Sequence, residues 1–282
     1  MKKLIIFFSV LITIVILTLL YSRFLGIKNI QIKEYKIVNK NFTDDYYGLK
    51  IVHITDIQYG KVTFDKELNE LVKKVNLTKP DIIVFTGDLI NKNTKLTNEQ
   101  ADKIASILSK MNARVGKYAV SGDYDTNFKN WSLIIENSGF KILNNTKDTI
   151  YLESNRYMLI SGVDSSNTSV NQRLKESEEF LKDKKDNEPI YSILLMHKPD
   201  DIKDINTKNY NLVLAGHSLN GQVKLPFIGA IGSKPNGAKK YYDSYYKVKE
   251  SDLYISSGIG TNSSNFRLNN RPSFNLYRMV NK

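Results

Sequence analysis

Five apolar segments of this chain each stop at a residue able to hold a cation. Lys50-Ile51-Val52-His53-Ile54-Thr55 runs into Asp56, and Asp81-Ile82-Ile83-Val84-Phe85-Thr86 runs into Gly87-Asp88. Tyr118-Ala119-Val120 leads through Ser121-Gly122 to Asp123, the run from Ile190 to Met196 meets His197, and Leu212-Val213-Leu214-Ala215 meets Gly216-His217. Carboxylates mixed with neutral imidazoles suit hard-to-borderline divalent metals. One strand ending in Asp says little, because Asp also caps helices and begins turns. Five such ends, which use two of the chain's three histidines, point to one shared centre.

The neighbours of these ends divide by chemistry. Gln58, two residues after Asp56, offers only an amide oxygen, a poorer ligand than imidazole. Leu219, two residues after His217, can ligate nothing. Tyr124 follows Asp123 and carries a phenol whose ordinary pKa of about 10 makes it a hydrogen-bond donor and a weak acid. His53 precedes Asp56 by three and points to the opposite strand face, so it reads as a core or supporting residue. Asp125 reads as a structural hydrogen-bond acceptor.

The elements that must carry these residues alternate between strand and helix. Leu68, Leu71, Val72 and Val75 recur at helical spacing before Pro80. Thr97 with Gln100 forms a capping-box pattern ahead of Ala101, Ile104, Leu108 and Met111. Trp131, Ile134 and Ile135 suit a helix closed by Gly139, and a charged, solvated helix is expected over about 171–185. Strands are expected at 30–33 with 35–38, at 157–160, 253–256 and 274–277. This order predicts an α/β fold with helices covering sheet faces, and ligands in such folds gather at the carboxyl ends of strands.

Ahead of that domain, Leu4 to Tyr21 is an uncharged, predominantly apolar run ending near Arg23. As a helix it reaches across a hydrocarbon core of about 30 Å. A cleaved signal peptide shares the basic start and apolar stretch, but no small-x-small site follows, so an uncleaved anchor is the preferred reading. Lys2 and Lys3 place the N-terminus in the cytoplasm and the main domain outside, with Arg23 and Lys28 pulling the other way. The expected organisation is a cytoplasmic stub and transmembrane anchor over 1–25, a tether and first strand over 26–45, and the main domain over 46–282.

Cysteine is absent from all 282 residues, which excludes thiolate metal sites, cysteine nucleophiles and disulfides. The net charge of +12 favours anionic surroundings, a phospholipid surface or an anionic wall polymer, while the anchor argues against nucleic acid. Lys224, Lys239 and Lys240 lie among tyrosines after the His217 turn. That segment reads equally as a headgroup-binding or bilayer-resting surface and as an ordinary hairpin. No protein partner is inferable.

Taken in order, Asp56-Ile57-Gln58, Gly87-Asp88, Gly122-Asp123-Tyr124-Asp125, His197 and Gly216-His217-Ser218-Leu219 resemble the motifs of the calcineurin-like metallophosphoesterases. That family reads Asp-x-His, Gly-Asp, Gly-Asn-His-Asp/Glu, His and Gly-His-x-His. The resemblance covers about residues 45 to 280, with flanks such as Leu225-Pro226 and Asn270-Arg271-Pro272, and is greatest to membrane-anchored members acting at the cell envelope. It implies a four-layer α-β-β-α sandwich of two mixed sheets. It also implies two metals sharing a carboxylate while a water-derived nucleophile attacks phosphorus in line.

Carried over by position, one metal would take Asp56, Gln58, Asp88 and the Leu219 position; the other would take Asp88, Asp123, His197 and His217. Tyr124 stands where the family has its catalytic histidine. The expectation is therefore one intact site for manganese, iron, magnesium or zinc, and one impaired or lost. Two functions follow from the resemblance: phosphoester hydrolysis at the envelope with a mononuclear site, or an inactive descendant binding metal and a phosphorylated lipid or other anionic envelope component. A third reading is a basic module that holds polyanions near the membrane.

Overall fold

The computed structural model describes residues 1–40, 42–128, 130–183, 188–232, 234–262 and 264–281. Helix α1 (Lys2–Leu20) continues through a π-helical turn at Tyr21–Leu25. Together they form a 24-residue helix long and apolar enough to cross a membrane.

Strands β1 (Gln31–Val38), β2 (Lys50–Ile54), β3 (Ile82–Phe85), β4 (Gly116–Ala119) and β5 (Lys141–Ile142) come first. They are followed by β6 (Thr146–Tyr151), β7 (Tyr157–Gly162), β8 (Tyr191–Leu195) and β9 (Leu212–Ala215). A short hairpin, β10 (Lys224–Leu225) and β11 (Gly229–Ala230), precedes β12 (Tyr245–Val248), β13 (Ser251–Ile255) and β14 (Ser273–Val280). Two six-stranded mixed sheets result, ordered β1-β14-β2-β3-β4-β5 and β12-β13-β9-β8-β7-β6. Within them β2, β3 and β4 run parallel side by side, as do β7, β8 and β9.

Both faces of the central strands are buried, which is why they read as continuous apolar runs. Alternate residues of β2 and β3 divide between two clusters. Val52, Ile54, Ile83 and Phe85 pack under α2 (Asp65–Leu77), α3 (Asn98–Leu108) and α4 (Trp131–Asn137). Ile51, Ile82 and Val84 meet Met158, Ile193 and Leu214 between the sheets. A third cluster covers the far face of the second sheet, where Leu194, Val213 and Leu253 meet Val170 and Leu174 beside α5 (Val170–Arg173) and α6 (Lys175–Asp183). Three apolar layers separate four layers of secondary structure, the α-β-β-α sandwich.

Two local expectations change. The helix expected over 171–185 is two helices broken at Leu174, whose fully buried side chain belongs to the core, so this stretch is not simply a solvated surface; 184 and 185 lie outside the described residues. The stretch expected to be a tether and first strand is built into the domain, since β1 pairs with β14 in parallel along its whole length.

Candidate metal centre

The carboxyl ends of β2, β3 and β4 in one sheet face those of β8 and β9 in the other. Their loops approach so closely that side chains are excluded at several glycines, Gly87 and Gly216 among them. Gly87 has a φ of +94°, and a Cβ there would overlap the backbone of Gly122. At Gly216 a Cβ would overlap Thr55 and come within 2.5 Å of Asp56 Oδ2. Asp56, Gln58, Asp88, His217 and Leu219 all adopt left-handed φ values between 49° and 66°. Such conformations are costly for residues with side chains and cluster at functional sites.

Two backbone carbonyls fix the histidines. His197 Nδ1 lies 2.7 Å from Thr86 O, and His217 Nε2 lies 2.8 Å from Asn236 O. A carbonyl only accepts, so each of these nitrogens carries the hydrogen and the opposite nitrogen of a neutral ring is bare. Those bare nitrogens, His197 Nε2 and His217 Nδ1, are 3.1 Å apart, and Asp88 Oδ2 is 3.3 Å from the first. The three buried side chains present ligand atoms all within 4.8 Å of one another. Three acceptors converging in a dry site require a cation, so the donor set fits a divalent metal.

Burial disfavours a charged His197, yet the adjacent Asp88 carboxylate outweighs it and holds the ring up at about 10. Burial and the His197 charge push His217 down. Burial likewise opposes ionisation of Asp88, but His197 and the Tyr124 N–H hold its carboxyl below the usual range. Burial raises Asp56 to about 6.

Around Asp56 the surroundings are different. Its Oδ2 accepts the Thr55 hydroxyl at 2.7 Å and the His217 backbone N–H at 2.9 Å. Gln58 Nε2 donates to Asp88 Oδ2 at 2.9 Å, while Gln58 Oε1 accepts from Asn91 at 2.9 Å. A carboxylate cannot donate, so the glutamine must turn its NH2 towards Asp88 and its oxygen away. Leu219 lies beside Asp56: a Cβ at Gly258 would sit 2.7 Å from Asp56 Cβ and 2.8 Å from Leu219 Cδ2. Gln58 thus offers Asp88 an amide N–H, and Leu219 brings only methyl groups beside Asp56.

Asp123 stands somewhat apart from the three clustered residues. Lys198 Nζ pairs with its Oδ1 at 2.9 Å, and its Oδ2 is 4.0 Å from His217 Nε2. Tyr124 donates its hydroxyl to Asn262 Oδ1 at 3.2 Å and its backbone N–H to Asp88 Oδ1 at 3.0 Å. Burial and then the Asp88, Asp56 and Asp123 charges push the phenol up to about 12, so at neutral pH it can donate a hydrogen bond but does not ionise.

A cavity of about 420 Å³ opens beside this cluster, lined in part by Tyr124, His217, Leu219, Lys234, Tyr242 and Asn262. Lys224, Lys239 and Lys240 are not among its lining residues. Lys224 pairs with Asp243 at 2.6 Å, the Lys239 and Lys240 backbones are held by the Asp200 carboxylate, and the Lys240 ammonium lies over the Tyr241 ring. Among the described residues, the cation that lines the cavity is Lys234, whose Nζ sits 3.3 Å from the Tyr242 ring centroid.

His53 is fully buried, 2.8 Å from Thr86 Oγ1 and stacked near Tyr277, away from the cluster. Asp125 binds backbone and no ligand atom: it accepts the N–H groups of Asp88, Leu89 and Gly122. Sequence reasoning missed two cations. Lys198 follows His197 directly, which was the available clue. Arg267, fully buried, donates to the carbonyls of Ser257, Gly258, Gly260 and Asn270. The 258–260 loop it shapes returns the Ile259 and Gly260 N–H groups to Asp56 O.

The sequence pattern of the calcineurin-like phosphoesterases matches residues 49–221. The chain belongs to that family. It is 28% identical to the metallophosphoesterase YkuE of Bacillus subtilis over 262 residues, 92% of this chain and 88% of that one. It is 32% identical to a metallophosphoesterase of Aquifex aeolicus over 234 residues, covering 79% and 82% of the two chains. A transmembrane protein with a metallophosphoesterase domain from Danio rerio is 24% identical over 241 residues. That match takes in 82% of this chain and only 53% of the fish protein, about half its length.

Proposed function

We propose that this chain is a membrane-tethered, metal-dependent phosphoesterase whose centre holds one divalent cation between Asp88, His197 and His217, with Asp123 at its edge. The observation that carries this reading is the pair of bare imidazole nitrogens, oriented by Thr86 O and Asn236 O, facing the Asp88 carboxylate. Two imidazoles and a carboxylate suit manganese, iron or zinc; magnesium, which prefers oxygen ligands, suits them less. A cation bound there supplies Lewis-acid stabilisation of charge on phosphoryl oxygens. The chain's own residues do the rest. Lys234 draws the anionic substrate into the cavity, Lys198 balances Asp123, and the Tyr124 hydroxyl can donate a hydrogen bond to a leaving oxygen.

Tethering is supported by the 24-residue apolar helix and by the packing of its end: Ser22 is buried, and its carbonyl accepts the Arg267 N–H at 3.0 Å. A leader made to be cut away has no need of such packing. Lys2 and Lys3 favour a cytoplasmic N-terminus and an outward-facing domain. Beside the cavity, the hairpin of β10 and β11 holds Phe227 and Ile228 out in solvent, an apolar tip suited to a lipid surface. Phosphorylated lipids or other anionic envelope components are the substrates this placement favours.

The Gln58 NH2 directed at Asp88, with Leu219 against Asp56, favours a second reading, an inactive relative that binds metal and ligand without turnover. Hydrolysis of bis(p-nitrophenyl) phosphate and p-nitrophenyl phosphate by the full-length protein in detergent separates the two. Turnover that requires manganese, stops in EDTA and disappears in His217→Ala is expected. Metal binding without turnover selects the second reading, and absence of metal binding rejects both.

A further inference from the structure

Where the apolar helix meets the domain, a second cavity of about 250 Å³ is lined by Tyr21, Gly26, Gln31, Lys33, Arg267, Asn269, Asn270 and Arg271. We propose that this cavity is a binding site for the phosphate of an anionic phospholipid headgroup, with Lys33 and Arg271 as its charged contacts.

Charge is the first reason. The lining holds three cations and no carboxylate. Among the described residues, Lys33 Nζ finds only the Ser257 hydroxyl at 3.0 Å, and Arg271 Nη2 only the Tyr21 hydroxyl at 3.0 Å. The carboxylate whose charge reaches Arg267 is Asp56, and its Oδ2 already accepts the Thr55 hydroxyl and the His217 N–H; Asp243 pairs with Lys224 and Glu34 with Arg278. Burial first, and then the charges of Lys224 and Arg267, lowers Lys33 to about 8. An anion placed among them relieves that repulsion, and charge-assisted bonds from Lys and Arg are among the stronger hydrogen bonds available.

Position is the second reason. Tyr21 opens the last turn of the apolar helix and Gly26 caps it, where the helix's length brings the chain out of a hydrocarbon core of about 30 Å. Lipid phosphates concentrate at that depth, and polar residues there meet them at high local concentration. Size is the third. The cavity falls below the roughly 300–1,000 Å³ of pockets that enclose drug-sized ligands, so it admits a headgroup and leaves acyl chains in the bilayer. This inference rests on the helix being a membrane anchor and is independent of catalysis.

The test is a titration of the full-length protein in neutral detergent with dihexanoyl phosphatidylglycerol, followed by thermal unfolding. EDTA is present so that the metal centre is empty. Dihexanoyl phosphatidylcholine and sodium phosphate serve as comparison arms. Phosphatidylglycerol is expected to raise the melting temperature, phosphatidylcholine to leave it unchanged, and Lys33→Gln/Arg271→Gln to need at least about tenfold more phosphatidylglycerol for the same shift. Equal responses to the two lipids, or an unaltered response in the double variant, would overturn the proposal. Sodium phosphate matching phosphatidylglycerol at equal concentration would overturn the lipid assignment in favour of free phosphate. If the double variant does not fold, Arg271→Gln alone gives the same comparison, because its side chain is only half-buried.

Discussion

The Asp125 carboxylate holds the backbone of Asp88: Oδ2 accepts the Asp88 N–H at 2.6 Å, and Oδ1 accepts the next N–H, that of Leu89, at 2.9 Å. Oδ2 also takes the Gly122 N–H at 2.8 Å, so one side chain ties the loop after β3 to the loop after β4. Asp88 sits at a φ of 58°, and this clamp is what keeps it there. Burial and the Asp88 charge push the Asp125 carboxyl up, while the Gly122 and Leu89 N–H groups favour its ionised form.

Asp125→Asn keeps the shape but turns an NH2 group against a backbone N–H. A buried donor left without its acceptor costs about 1–3 kcal/mol, and bonds to a charged group lie at the upper end. The variant should lose about 2–3 kcal/mol in urea unfolding. It should also bind manganese more weakly, as read by isothermal titration. A variant as stable as the native protein would show that the clamp is dispensable.

His53 gives the protein an acid-sensitive core. Burial lowers this imidazole to about 3, so the folded state keeps it neutral while the unfolded chain takes up a proton below about 6.5. Its contribution to stability is complete above about 6.5 and is lost as pH falls towards 3. Between pH 6.5 and 5 the native protein should lose about 1.7 kcal/mol more stability than His53→Gln, since the slope rises from half of about 1.4 kcal/mol per pH unit at 6.5 to nearly all of it at 5. Denaturant unfolding of both proteins across that range checks it; parallel curves would show that His53 is not the group responsible.

Restoring imidazoles at Gln58 and Leu219 should change the metal content. The native protein is expected to retain one manganese per chain after dialysis, measured by elemental analysis. Gln58→His/Leu219→His should retain two, because the Gln58 amide proton and the Leu219 methyl would be replaced by nitrogen ligands facing Asp56 and Asp88. Two tightly held ions in the native protein would contradict the mononuclear reading.

Much of this architecture is legible in the sequence for a physical reason. Strands buried on both faces read as unbroken apolar runs, and their last residues are where the two sheets bring side chains together. Asp88, His197 and His217 each announce themselves by that placement. Lys198 is harder to see, since its pairing with Asp123 depends on how two loops from different sheets meet. Arg267 leaves no trace in periodicity or charge pattern, because its partners are carbonyl groups. The break at Leu174 was hidden by a run of charged residues that looks uniformly solvated. The docking of Ser22 on Arg267 joins opposite ends of the chain, and contacts of that range are invisible to any local pattern.

That docking also bears on how the protein can be handled. Gly26 approaches Arg267 O so closely that no side chain fits between them, and Tyr21 braces Arg271. The same Arg267 shapes the loop whose N–H groups return to Asp56. The helix is therefore less a leash than a cornerstone. A shortened chain starting after Leu25, the usual recipe for a soluble fragment, would strip the cover from the segment next to the metal cluster. A fragment that begins at Tyr21 keeps it.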